Sequence, residues 1–124
     1  MALILIVDDN ADSRWVLSHL VRRDRHEVVE ARDGREALSI YRTRRPDVVL
    51  LDLFMPNESG FDTIKALKSE FPDSRIIVVS AGWRVGGDDG LRLARELGAD
   101  LTIRKPIDLE NVRQAVAALL TIAA

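Results

Sequence analysis

At 124 residues the chain fits one domain on the usual prior of roughly 100 to 200 residues each, leaving no room for a second catalytic or DNA-binding domain. Hydrophobic residues make up 47%, charged residues 31%, and the formal net charge is −2, values of a soluble globular protein with no electrostatic reason to bind nucleic acid. The absence of cysteine excludes disulfide and thiolate sites, and no apolar run approaches the roughly 20 residues that span a bilayer, so the expected location is the cytoplasm.

In chain order, residues 3–7 open with the apolar run LILIV, which ends at the acid pair Asp8 and Asp9. Trp15, Leu17, Leu20 and Val21 then recur at helical spacing, predicting a helix with Trp15 on its core side. Arg22, Arg23 and Arg25 crowd the end of that helix, where basic side chains suit the dipole. Residues 27–31 are the most polar of the short runs and predict an edge strand. Ala37, Leu38, Ile40 and Tyr41 predict a second helix, closed by Arg42, Arg44 and Arg45. Residues 48–51 form another apolar run that ends at Asp52, and Ile64, Leu67 and Phe71 mark a third helix. Residues 76–79 lead into Ser80, followed by a glycine-rich stretch, 82–90, that is expected to be a mobile loop. Trp83 within it is a candidate contact residue, since no helix face is available to bury it. Leu91, Leu93, Ala94 and Leu97 predict a fourth helix, with Asp88 or Asp89 as its cap. Residues 101–103 precede Lys105, and Val112, Val116, Leu119 and Leu120 predict a last helix capped by Asp108. Gly34, Pro46, Pro72, Gly98 and Pro106 fall between these segments rather than inside them.

Five βα units in one small domain imply the α/β class: a single (βα)5 doubly wound parallel sheet with helices on both faces. An eight-unit barrel needs about twice this length. In open sheets of order 2-1-3-4-5, ligands bind beyond the carboxyl ends of the strands, at the switch point between the first and third. Those two strands end in Asp8, Asp9 and Asp52.

Converging carboxylates repel, so such a set either raises a pKa or binds a cation. Oxygen-only ligands select a hard ion, Mg²⁺ before Mn²⁺, because Mg²⁺ is held by one or two carboxylates plus waters and phosphate oxygens. With an anionic phosphate thus neutralised, a carboxylate can act as nucleophile and form an aspartyl phosphate. Lys105 and Ser80, ending later strands, offer a point charge and a hydroxyl to the transferred oxygens.

The ordered set Val7-Asp8-Asp9-Asn10, Asp52-Leu53-Phe54-Met55-Pro56 with Gly60, Ser80-Ala81, Gly98-Ala99-Asp100 and Lys105-Pro106 resembles the CheY-like receiver domain of bacterial two-component response regulators. The resemblance covers essentially the whole chain, and it implies one receiver domain over residues 1–124 with no output domain. It further implies that Asp52 accepts a phosphoryl group from a histidine kinase or histidine phosphotransfer protein and that the domain assists its own phosphorylation and dephosphorylation. Asp9 would be the more direct Mg²⁺ ligand, Asp8 would act through water, and the backbone carbonyl of Phe54 would complete the protein's ligands. Lys105 and Ser80 would bind the phosphoryl oxygens, Pro106 would follow a cis bond, and the first helix, with Trp15, would meet the phosphodonor. A downstream protein partner would read the phosphorylated state; neither nucleic acid nor membrane is expected to be a direct partner.

Departures from the family pattern accompany the match. Thr102 stands where receivers carry Tyr or Phe, and a threonine cannot fill or vacate an aromatic's pocket. The stretch 82–90 is about three residues longer than usual for the family and is expected to change its order on phosphorylation. Phe54 and Gly82 hold the variable positions that tune access of water to the aspartyl phosphate. Two other receiver readings are a constitutive binding module, motivated by Thr102, and a fragment of a hybrid kinase. A haloacid-dehalogenase-like phosphatase would need Asp where Phe54 stands. A flavodoxin-like FMN protein would need a phosphate loop that the first and third strands lack.

Overall fold

A computed structural model describes residues 2–55, 58–80, 84–85 and 88–123. The five main strands are β1 (Leu3–Val7), β2 (Glu27–Ala31), β3 (Val48–Asp52), β4 (Ile76–Ser80) and β5 (Leu101–Arg104). They form one parallel sheet in the order β2-β1-β3-β4-β5, as the alternating pattern implies. Helices α1 (Ala11–Arg23), α2 (Gly34–Arg44), α3 (Gly60–Glu70), α4 (Gly90–Glu96) and α5 (Leu109–Ala123) follow the strands in turn. No helix among the described residues is long and apolar enough to cross a membrane.

The period of two along each strand divides the core into two layers. Ile4, Ile6, Val48, Leu50, Ile77 and Val79 face Leu17, Leu20 and Val21 of α1 and Val112, Val116 and Leu119 of α5. Leu5, Val7, Val49, Leu51, Ile76 and Val78 face Ala37 and Tyr41 of α2, Ile64 and Leu67 of α3, and Ala94 of α4. Because both faces are covered, the central strands must be apolar at every position, and β3 is buried from Val48 to Leu51. The edge strand β2 carries exposed Glu27 and Glu30, in keeping with its polar sequence.

Three strands run one residue past their apolar cores. Main-chain pairing continues through Asp52, opposite Val79, and through Ser80, opposite Arg104, because the ladder does not depend on side-chain polarity. The basic clusters do sit at helix ends: Arg22 and Arg23 in the last turn of α1, Arg42 and Arg44 in that of α2. Asp108 caps α5, its Oδ1 accepting from the Glu110 amide at 3.0 Å. The side chains of Asp88 and Asp89 lie outside what is described.

One expectation is corrected. Trp15 is 65% exposed and stacks on His19 with ring centroids 5.1 Å apart. At roughly 100° per residue it falls well round the helix from Leu17, Leu20 and Val21, and Ser18 joins the buried stripe instead. Within the stretch 82–90, Arg84–Val85 pairs antiparallel with Asp88–Asp89. Trp83, Gly82, Gly86 and Gly87 lie outside the described residues. A similar short pairing joins Phe54–Met55 to Glu58–Ser59 just after β3.

Candidate functional site

The carboxyl ends of β1, β3, β4 and β5 share one rim, and the residues that end them form the site. Asp8 directly follows β1 and is only 1% exposed, while its neighbour Asp9 is exposed. Asp52 closes β3 with a side chain 11% exposed. Carboxylate oxygens of Asp8, Asp9 and Asp52 lie within 4.8 Å of one another. The Lys105 ammonium reaches this group at Asp52, its Nζ 3.8 Å from Asp52 Oδ2, inside ion-pair range though beyond a hydrogen bond. Ser80 at the end of β4 is fully buried, and its Oγ has no hydrogen-bond partner among the described residues. The Lys105 amide donates to the Ser80 carbonyl at 2.6 Å, fixing the start of the β5 loop against β4, and the Lys105–Pro106 bond is cis.

Local hydrogen bonds hold the acid pair at the end of β1. The Asp8 amide donates to the Ala31 carbonyl of β2 at 3.1 Å, and Asp8 Oδ1 accepts from the Asn10 amide at 2.9 Å. Asn10 in turn caps α1, its Oδ1 accepting from the Ser13 amide at 2.9 Å. At β3 the support is steric. The Gly60 amide donates to the Leu53 carbonyl at 2.9 Å, and a Cβ on Gly60 would come within 2.5 Å of Leu53 Cα and 2.9 Å of the Asp52 carbonyl oxygen. Only glycine lets α3 begin directly on the main chain that presents Asp52.

Electrostatically the pocket is unbalanced. Burial pushes the Asp8 carboxyl above its ordinary value, and the charges of Asp52 and Asp9 push the same way, opposed by the Asn10 amide and by Lys105. A buried acid facing two more carboxylates is a set of hard oxygen donors short of countercharge, which suits a small divalent cation. The described part of the site therefore fits the ion that its donor chemistry calls for.

All of the predicted side chains, Asp8, Asp9, Asp52, Ser80 and Lys105, come to this one rim. Phe54 lies just beyond β3; its side chain, Pro56 and Ala81 lie outside what is described. Thr102 is half-buried in β5, opposite Val78. Sequence reasoning missed Arg14. Its Nη1 donates to the Asp8 carbonyl at 2.7 Å, and its Nε lies 3.4 Å from Glu30. The available signal was an arginine in the first turn of a helix, where the dipole favours acids.

The sheet order, and acids at its switch point facing a lysine, define a class: single-sheet α/β proteins that handle anionic groups at the carboxyl edge. Within that class the chain belongs to the response regulator receiver domain family, whose model matches residues 4–117. It is 34% identical over 113 residues to sporulation initiation phosphotransferase F of Bacillus subtilis, covering 91% of this chain and 89% of that protein. It is 37% identical over 114 residues to the chemotaxis protein CheY of Thermotoga maritima, covering 91% and 92%. Among solved structures, response regulator TrrA of Thermotoga maritima, in complex with Mg²⁺-BeF, superposes with a TM-score of 0.84 at 28% identity, covering 96% of this chain and 99% of that one. The protein is thus a phosphoacceptor receiver of two-component signalling, a class that exchanges phosphoryl groups with histidine kinases or phosphotransfer proteins.

Proposed function

We propose that Asp52 is the phosphoacceptor of this receiver, within one receiver unit spanning residues 1–124. The observation that carries the reading is the meeting of Asp52 with both the carboxylates of Asp8 and Asp9 and the Lys105 Nζ, at 3.8 Å. A carboxylate oxygen of Asp52 attacks the phosphorus of a phosphohistidine on a kinase or phosphotransfer protein. The new O–P bond forms as the P–N bond breaks, and the imidazole leaves with that electron pair and is protonated from water. Lys105 takes up charge on the phosphoryl oxygens, and Ser80 offers them a hydroxyl that no described neighbour engages. Asp8, Asp9, Asp52 and the Phe54 carbonyl would hold Mg²⁺, which supplies charge neutralisation to the incoming phosphoryl group. The domain in this way assists its own phosphorylation and dephosphorylation, in the cytoplasm where histidine kinases draw on ATP.

The output is altered binding of a downstream protein partner, biased by roughly −1.5 to −2 of added charge. Thr102 bears on how that charge is read out and leaves the acidic pocket untouched, so the constitutive-module reading is not adopted. Incubation with acetyl phosphate and Mg²⁺ followed by intact-mass analysis tests the assignment. Wild type gains one phosphoryl group and Asp52→Asn gains none; equal gain by the variant would move the acceptor elsewhere.

A further inference from the structure

Among the described residues, Arg14 stands out as a charged group near the pocket that the chemistry above does not use. Its side chain is 15% exposed, and it spends its donors on main chain and on a neighbouring strand rather than on the acids. The Nη1 bond to the Asp8 carbonyl is the shortest contact made by the β1–α1 connection. That carbonyl belongs to the peptide joining Asp8 to Asp9, so its direction fixes the plane from which Asp9 departs. The sheet ladder does not set this plane, because the strand ends at Val7. Asp8 is otherwise tied through its amide to Ala31 and through its carboxylate to Asn10, and neither bond constrains the carbonyl. Glu30 on β2 orients the guanidinium from behind, 3.4 Å from Nε. A charge-assisted bond from a rigid planar fork holds one direction better than a flexible ammonium does.

We propose that Arg14 is a positioning residue of the cation site: by holding the Asp8–Asp9 peptide plane, it brings the Asp9 carboxylate into one pocket with Asp8 and Asp52. The inference rests on the reading of that pocket as the Mg²⁺ site. Glu30, Arg14, the Asp8 carbonyl and Asp9 form a relay from the edge strand to the rim. Arg14's contacts fall on the Asp8 carbonyl and on Glu30 rather than on the pocket carboxylates, so the part assigned to it is geometric. Supports of metal ligands commonly contribute ~10-fold or more in affinity.

Titration calorimetry of wild type with MgCl₂ or MnCl₂, beside Arg14→Met, Arg14→Lys and Glu30→Gln, tests the inference. Arg14→Met, which keeps the apolar stem, should weaken binding by ~10-fold with a melting temperature close to wild type. Arg14→Lys should recover part of the loss, and Glu30→Gln, which keeps Arg14 but removes its orienting partner, should show a smaller loss in the same direction. In metal-free protein, amide exchange at Asp9 and Asn10 should quicken in Arg14→Met and not at core amides. If Arg14→Met does not fold, Glu30→Gln decides alone, through its affinity and through quickened exchange at its own Asp9 amide. Binding by wild type with unchanged affinity in every variant would overturn the positioning role and leave the metal site standing. Absence of Mg²⁺ and Mn²⁺ binding by wild type would overturn both.

Discussion

Asp8 shows how far a single side chain can oppose folding when function requires it. Folding removes this carboxylate from water and sets it beside Asp52 and Asp9, raising its pKa above the ordinary 3.8. The sign of the linkage follows. Below the unfolded value both states hold the proton and the group has no effect. As pH rises, the unfolded chain ionises first, so stability falls until the raised folded pKa is passed and is level thereafter. Replacing Asp8 by Asn keeps an acceptor for the Asn10 amide and removes the charge. Urea unfolding at pH 7 without divalent ions should show Asp8→Asn more stable than wild type, because the variant has no buried charge to desolvate or to set beside Asp52 and Asp9. The advantage should shrink towards pH 3; a variant less stable than wild type at pH 7 would contradict the burial argument.

At the scale of elements, placing Asp52 depends on how tightly α3 begins on the end of β3. A Cβ on Gly60 would meet main-chain atoms of Leu53, which cannot swing aside as a side-chain tip does. Gly60→Ala should therefore cost about 1–3 kcal/mol in chemical denaturation and slow acetyl-phosphate labelling of Asp52 as the strand end shifts. Labelling and stability equal to wild type would mean that the junction yields freely. The sheet itself was legible, because strands covered on both faces must be continuously apolar and the exposed edge strand advertised itself through Glu27 and Glu30. The acids, Ser80 and Lys105 were legible as strand ends in order. Arg14 was not, because an arginine's partner can be a carbonyl, and every residue supplies one. Trp15 misled because apolar character was weighed ahead of its angle about the helix axis, and its exposure follows from that angle. The close approach at Gly60 was hidden as well, since a glycine ahead of a helix reads the same whether it turns the chain or admits a neighbour.

Across the whole molecule the two ends of the sheet are finished in opposite ways. At the amino end the strand starts are tied: Asp47 accepts from the Leu3 amide at 2.8 Å, Asp100 from the Ile76 amide at 2.8 Å, and Lys68 binds both Asp100 and the Ser74 carbonyl. At the carboxyl end three carboxylates gather, with Lys105 in ion-pair range of Asp52. One end holds the fold and the other holds repulsion that a bound cation relieves. Mg²⁺ should accordingly raise the melting temperature of wild type, the stabilisation reaching about 1.4 kcal/mol at ten times the dissociation constant. Asp100→Asn should lower stability yet leave that increment intact, because it loosens the tied end alone. Asp9→Asn should do the reverse, folding at least as well as wild type without Mg²⁺ and gaining little when it is added. Differential scanning calorimetry of the three proteins with and without MgCl₂ separates the two ends, and an undiminished increment in Asp9→Asn would show that the cation binds away from the switch point of the sheet.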